Sequence, residues 1–188
     1  KDLSMPQTSI TYHGPHYKNR DTVFVKPTTQ IRLSGKDQES GLKHILCKTD
    51  QATYEVYESP VNQKQDGFHV FAYKAVDRVN NHQAEQREKI YVDQHSPEIY
   101  HHFSVKSIGS KSVRGEQYTI YPSNSRLYVA ATDMACGTDT LRYRINGGKW
   151  KTEIPLPDFK PGNYQVEIQA NDYLGNMAST TVEFAIEH

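Results

Sequence analysis

Acidic and amide side chains recur in this chain at one fixed spacing. Ala75, Asp77 and Asn81 in "KAVDRVNN" are matched by Ala170, Asp172 and Asn176 in "QANDYLGN". Upstream of each lies a second acidic loop, with Asp37 and Glu39 in one case and Asp133 and Asp139 in the other. Side chains that offer only oxygen suit a hard cation, and calcium takes 6–8 such ligands. The predicted calcium set for the C-terminal half is Asp93, Asp133, Asp139, Asp172 and Asn176, converging at a domain joint. The equivalent set in the N-terminal half is Asp37, Glu39, Asp77 and Asn81. The same residue types have a second use. Asp and Asn side chains cap their own backbone in turns and tolerate left-handed conformations. Asp-x-x-Gly-Asn between two strands therefore fits a hairpin turn without an ion. The dense Asp-x-Asp-x-Asp-Gly signature of dedicated calcium loops is absent. Turn chemistry and calcium both stand at this point, and no other cofactor is expected.

Catalytic chemistry finds less support. The chain has no Gly-x-Ser-x-Gly, no His-Glu-x-x-His and no phosphate-cradling glycine loop. A thiol nucleophile needs a base and a stabilised thiolate, and Cys136, in a loop that reads as exposed, has no repeat-equivalent histidine accompanying it in sequence. The chain is expected not to be an enzyme. His13 and His16 form a His-x-x-His pair, but two ligands in a loop do not make a zinc site. His101 and His102 are adjacent, so a strand would point them to opposite faces. Tyr100, Tyr118, Tyr121, Tyr128 and Tyr173 are candidates for stacking sugars or forming a protein-binding patch, provided they cluster.

The recurring spacing belongs to a repeat of the whole chain. A shift of 96 residues places "IRLSGKDQESG" on "LYVAATDMACG", and a shift of 95 places "GFHVFAYKAVDRVNN" on "GNYQVEIQANDYLGN". A collinear series with one gap predicts two copies of one domain, residues 1–94 and 95–188. Each copy reads as short strands. "NYQVEIQA" alternates Tyr164, Val166, Ile168 and Ala170 with Gln165, Glu167 and Gln169. Period two with one apolar face means half-buried antiparallel strands. Asn146-Gly147 between two such runs is a hairpin signal. About seven strands per copy predict an all-β chain of two tandem immunoglobulin-like antiparallel β-sandwiches. Pro161-Gly162 followed by Tyr164 marks a tyrosine corner, with His69 in that place in the first copy. The last strand of the first copy offers only Ile90, Tyr91 and Val92 for burial, which predicts a less well-packed domain.

These residues resemble a known pattern. "ATDMACGTDTLRYRINGGKW" followed by "FKPGNYQVEIQANDYLGN" is similar to the tandem immunoglobulin-like repeats of large bacterial surface and outer-membrane proteins. The first copy keeps Asp37, Gly41, Tyr54, Gly67, Ala75, Asp77 and Asn81 but has "TDQATY" where the second has its Asn-Gly-Gly hairpin. "PGNYQVEIQA" is also shared with sensor domains of bacterial two-component receptors. The resemblance implies an exported, non-catalytic spacer or adhesive module built into a longer protein. Alternatives are a carbohydrate-binding accessory module, which needs a row of aromatics on one face, and a periplasmic sensor module.

Composition narrows the partners. Lys+Arg and Asp+Glu are both 22, which leaves no basic stripe for nucleic acid. No run approaches the roughly 20 apolar residues that cross a bilayer as a helix, so no direct membrane insertion by this segment is expected. A first residue of Lys fits a segment of a longer protein, placed outside the cytoplasm at the cell surface, outer membrane or periplasm. The expected partners are neighbouring domains of that chain and a surface protein or glycan. Two cysteines, at non-equivalent places in the repeat, leave the redox compartment open.

Overall fold

The computed structural model describes residues 2–188, and every regular element in it is a β-strand. The chain divides into two compact units, Lys1–Gln94 and His95–His188. The first contains β1 (Gln7–His13), β2 (His16–Asn19), β3 (Thr22–Val25), β4 (Gln30–Lys36), β5 (Leu42–Thr49), β6 (Glu55–Val56), β7 (Gly67–Asp77) and β8 (Gln86–Val92). The second contains β9 (Glu98–Phe103), β10 (Gly109–Val113), β11 (Glu116–Pro122), β12 (Leu127–Thr132), β13 (Thr138–Ile145), β14 (Gly162–Asp172) and β15 (Met177–Glu187).

Each unit is an immunoglobulin-like sandwich with one narrow layer. In the first, β1 pairs antiparallel with β4, facing a six-stranded sheet of order β2-β3-β8-β7-β5-β6. In the second, β9 pairs with β12, facing a five-stranded sheet of order β10-β11-β15-β14-β13. The two topologies correspond strand for strand, apart from β6. Both include one parallel pairing, β3 with β8 and β11 with β15.

Alternation decides which face is buried. In β14, Val166, Ile168 and Ala170 enter the core while Gln165, Glu167 and Gln169 line the outside. Phe184 of β15 sits at the centre of the second core, edge-on to Phe103 and Phe159 and stacked on Tyr164 at 5.4 Å. Burying a ring of that size stabilises the fold by about 2–3 kcal/mol.

The structure departs from the sequence reading in three places. The Asn146-Gly147 turn forms, with φ of 49° and 69°, but its second arm is a single bridge between Tyr143 and Lys151. The narrow layer has only two strands, and in the second unit irregular chain carrying Leu156 and Phe159 closes the core instead. The first unit is not loosely packed. Strand β8 is held on both sides by β3 and β7, and it buries Ile90 and Val92 almost completely.

Candidate functional site

The repeated acidic loops close one end of each sandwich. At the β7–β8 turn, the Asp77 carboxylate is fully buried. Its Oδ1 accepts the Val79 amide at 2.9 Å and the Asn81 amide at 2.7 Å, and its Oδ2 accepts Asn81 Nδ2 at 2.7 Å. The β14–β15 turn repeats this geometry. Asp172 Oδ1 accepts the amides of Leu174 and Asn176 at 2.9 and 2.7 Å, and Oδ2 accepts Asn176 Nδ2 at 2.6 Å. A left-handed residue is needed inside the turn, and Asn80 (φ 67°) and Gly175 (φ 79°) supply it. The Asp-x-x-x-Asn spacing therefore builds the turn.

Asp37 and Asp133 organise the other loop in the same manner. Asp37 Oδ1 accepts the amides of Glu39 and Gly41 at 3.2 and 2.8 Å; Asp133 Oδ1 accepts those of Ala135 and Gly137 at 3.1 and 2.9 Å. What differs is the company around them. In the first unit Asp2, Asp37 and Asp77 bring one carboxylate oxygen each to within 4.8 Å of one another. Asp2 was not among the residues expected here, because the five residues before β1 carry no periodicity or turn signal. It is tied in by Ser4, whose amide and hydroxyl reach Oδ1 at 2.8 and 2.6 Å, and by the Ser40 amide, which reaches Oδ2 at 2.9 Å.

Electrostatics follow from these contacts. The Ser4 and Ser40 hydrogen bonds hold the Asp2 carboxyl well below the usual carboxylate range. Burial alone would raise Asp77, but the Asn81, Val79 and Ser40 donors outweigh it and the net shift is downward. Glu39 is pushed upward, chiefly by its side-chain contact with Asp2, then by the charge of that neighbour, by burial and by Asp37. One Asp37 oxygen, Oδ2, is buried and accepts no hydrogen bond. So the first unit gathers Asp2, Asp37 and Asp77, sets Glu39 against Asp2, and bonds Asn81 to Asp77. Three carboxylates at this distance can hold a divalent cation, or repel one another without it.

In the second unit the corresponding residues are arranged differently. Asp139 lies exposed on β13, at a register irregularity between Thr138 and Thr140. Asp93 follows β8 in the first unit; it is fully buried and its amide donates to the Val25 carbonyl at 3.0 Å. Cys136 occupies the place of Ser40, buried, with Sγ within 4.8 Å of an Asp172 carboxylate oxygen. Cys47 lies in the first core, where burial and then the Glu55 charge push its thiol up. A buried thiol whose thiolate is disfavoured in this way packs as a small apolar group.

The aromatic candidates scatter. Tyr121 belongs to the second core, stacked on Phe103 at 3.7 Å. Tyr100 and Tyr128 are exposed on β9 and β12, with Tyr128 stacked against His102 at 5.1 Å. Tyr173 lies in the β14–β15 turn, its ring covering Gly137. Tyr118 is half-buried on β11, beside Glu116.

No protein-family model matches the chain, and no curated protein sequence matches it. Among solved structures, the fibronectin(III)-like modules of Clostridium thermocellum CbhA are similar, at 11% sequence identity and a TM-score of 0.45. That alignment covers 95% of this chain and 94% of the other. The sandwich assignment rests on this chain's own strand order and register.

Proposed function

We propose that the chain is a non-catalytic structural and attachment segment of a larger exported bacterial protein, built from one sandwich used twice. The observation that carries this reading is how the polar loop residues are used. Asp37, Asp77, Asp133 and Asp172 each commit Oδ1 to two amides of their own turn, so these repeated acidic side chains serve the fold. The resemblance to bacterial surface repeats supports the exported setting. The test is cell-surface labelling of the native protein in its source bacterium, combined with protease shaving of intact cells. Surface exposure is expected; retention in the cytoplasm overturns the reading.

A second reading adds a calcium ion to the first unit. It is favoured by the Asp2–Asp37–Asp77 convergence together with the buried, unbonded Asp37 Oδ2. A cation bound only by the folded chain raises its melting temperature. Calcium is expected to raise the Tm of the first unit relative to a chelator, and Asp37→Asn to remove the rise. Equal melting with calcium and with chelator overturns this second reading.

A further inference from the structure

Four aromatic residues stand in register across the outer face of the six-stranded sheet. Tyr17 of β2 lies opposite Phe24 of β3, Phe24 opposite Tyr91 of β8, and Tyr91 opposite Phe68 of β7. Their chain neighbours Val23, Val25, Ile90, Val92 and His69 face the core, so Phe24, Tyr91 and Phe68 point away from it, and Tyr17, directly opposite Phe24, shares their face. Three are half-buried and Phe68 is 55% exposed. Ring centroids are 6.4 Å apart for Tyr17 and Phe24 and 5.6 Å for Phe24 and Tyr91, with tilts of 35° and 37°. Phe24 and Tyr91 are thus tilted side by side rather than stacked face to face. With strands about 4.8 Å apart, the row runs for about 14 Å.

The fold does not demand this row. At the corresponding register positions of the second unit stand Gly109, Ile120, Ala185 and Asn163, on the same strand order. Two of those four have almost no side chain. The aromatic row is thus an addition to one copy.

We propose that the row is a binding platform for an extended, neutral polysaccharide chain. The proposal deepens the attachment reading above and rests on it for its biological setting. A pyranose ring offers apolar C–H faces and hydroxyl edges, so its complement is a strip of aromatic surface with hydrogen-bonding groups beside it. The strip is one residue wide. Its next register row is Asn19, Thr22, Lys89 and Val70, three of them polar. The charges alongside are already paired, Lys89 with Asp21 and Arg87 with Glu85. Balanced charge does not suit a nucleic-acid strand, which also stacks on aromatics but requires a positive groove. A narrow strip also offers too little contiguous apolar area for a hydrophobic protein interface.

The test is native affinity electrophoresis of the full chain in gels cast with hydroxyethylcellulose, xylan or galactomannan, and with polygalacturonate as an acidic comparison. At least one neutral polymer is expected to retard the protein. Phe68→Ala, at the most exposed ring, is expected to weaken that retardation about tenfold, as is Tyr91→Ala, the cost of one lost stacking contact. Asn163→Ala, at the matching position of the second unit, is expected to run as the wild type. Unchanged circular dichroism confirms that the variants fold. No retardation in any neutral gel, retardation that survives Phe68→Ala and Tyr91→Ala, or retardation by polygalacturonate alone overturns the proposal. A wild-type dimer that Phe68→Ala dissolves reassigns the row to self-association and also overturns it. A surface-exposed protein that no neutral gel retards rejects the platform while leaving the attachment reading intact.

Discussion

Asp50 and Asn146 occupy matching places in the two copies and solve one problem with different chemistry. Both have positive φ, 53° and 49°, and both accept an amide of the neighbouring long strand, Val70 or Gln165, at 2.8 Å. Asp50 has an oxygen to spare, and it meets His69 Nδ1 at 2.7 Å. The other nitrogen of His69 is 2.8 Å from the Gln65 carbonyl, four residues upstream. Tyr164 makes the same four-residue reach, its hydroxyl donating to the Lys160 carbonyl at 2.8 Å. His69 therefore replaces the tyrosine corner rather than abandoning it, and Asp50 is its counterpart. Burial would raise the Asp50 carboxyl, but the Val70 amide and His69 outweigh burial and lower it. A lowered folded value adds stability above the unfolded carboxyl range of about 3.9, and that stability is lost as pH falls through the folded value. Asp77 shifts the same way. Urea titrations at pH 5 and near pH 3 are expected to show the first unit losing its midpoint faster than the second. Trp150, the single tryptophan, reports the second unit alone. Replacing Asp172 with Ala strands the Leu174 and Asn176 amides and is expected to cost about 2–4 kcal/mol in urea unfolding.

At the scale of elements, the sequence was legible wherever alternation was clean. Strands β13, β14 and β15 could be read directly from Tyr143, Val166 and Phe184 and their period-two neighbours. The small hairpins β2–β3 and β10–β11 were not visible, because their two-residue turns place arginine where glycine or asparagine is the usual cue. Arg20 and Arg114 adopt φ of 55° and 54°. Each carries left-handed strain, so Arg20→Asn is expected to stabilise the first unit by about 0.5–1 kcal/mol in thermal or urea melts. The aromatic row escaped the sequence for a related reason. Its members span residues 17 to 91 and meet only through three successive registers, two antiparallel and one parallel. Tyr54 and Trp150, by contrast, fall at matching positions and do matching work. Trp150 lies over the Arg142 and Arg144 guanidinium groups, both at 4.8 Å, and Tyr54 over Lys48 and Lys74 at 5.0 and 4.5 Å. Trp150→Ala is expected to destabilise the second unit by about 1–2 kcal/mol through two lost cation–π contacts.

Across the whole molecule, the repeat was the most informative feature of the sequence, since a shift of 96 or 95 residues superimposes residues whose hydrogen bonds also superimpose. Asp77 and Asp172 make the same three bonds, and Gly41 and Gly137 share a positive φ. Positions where the copies agree mark what the fold requires, and positions where they diverge carry what has been added. Ser40 bonds Asp2 through its amide where the second copy has Cys136, and the aromatic row of the first copy has no counterpart in the second. Each unit has its own apolar core, one around Phe71 and Ile90, the other around Phe184 and Ile168. Residues 1–94 and 95–188 produced separately are therefore each expected to melt cooperatively by circular dichroism.

The parallel ladders near the start and end of each sandwich set its response to tension. Strand β3 is joined along Thr22–Val25 to Lys89–Val92 of β8, and β11 along Thr119–Pro122 to Phe184–Glu187 of β15. Drawing the ends of such a domain apart slides the paired strands lengthwise, so the hydrogen bonds between them share the load and must rupture together. A sheet peeled from one edge would lose its bonds one at a time. Each parallel ladder thus has the geometry of a shear joint rather than of an edge that peels.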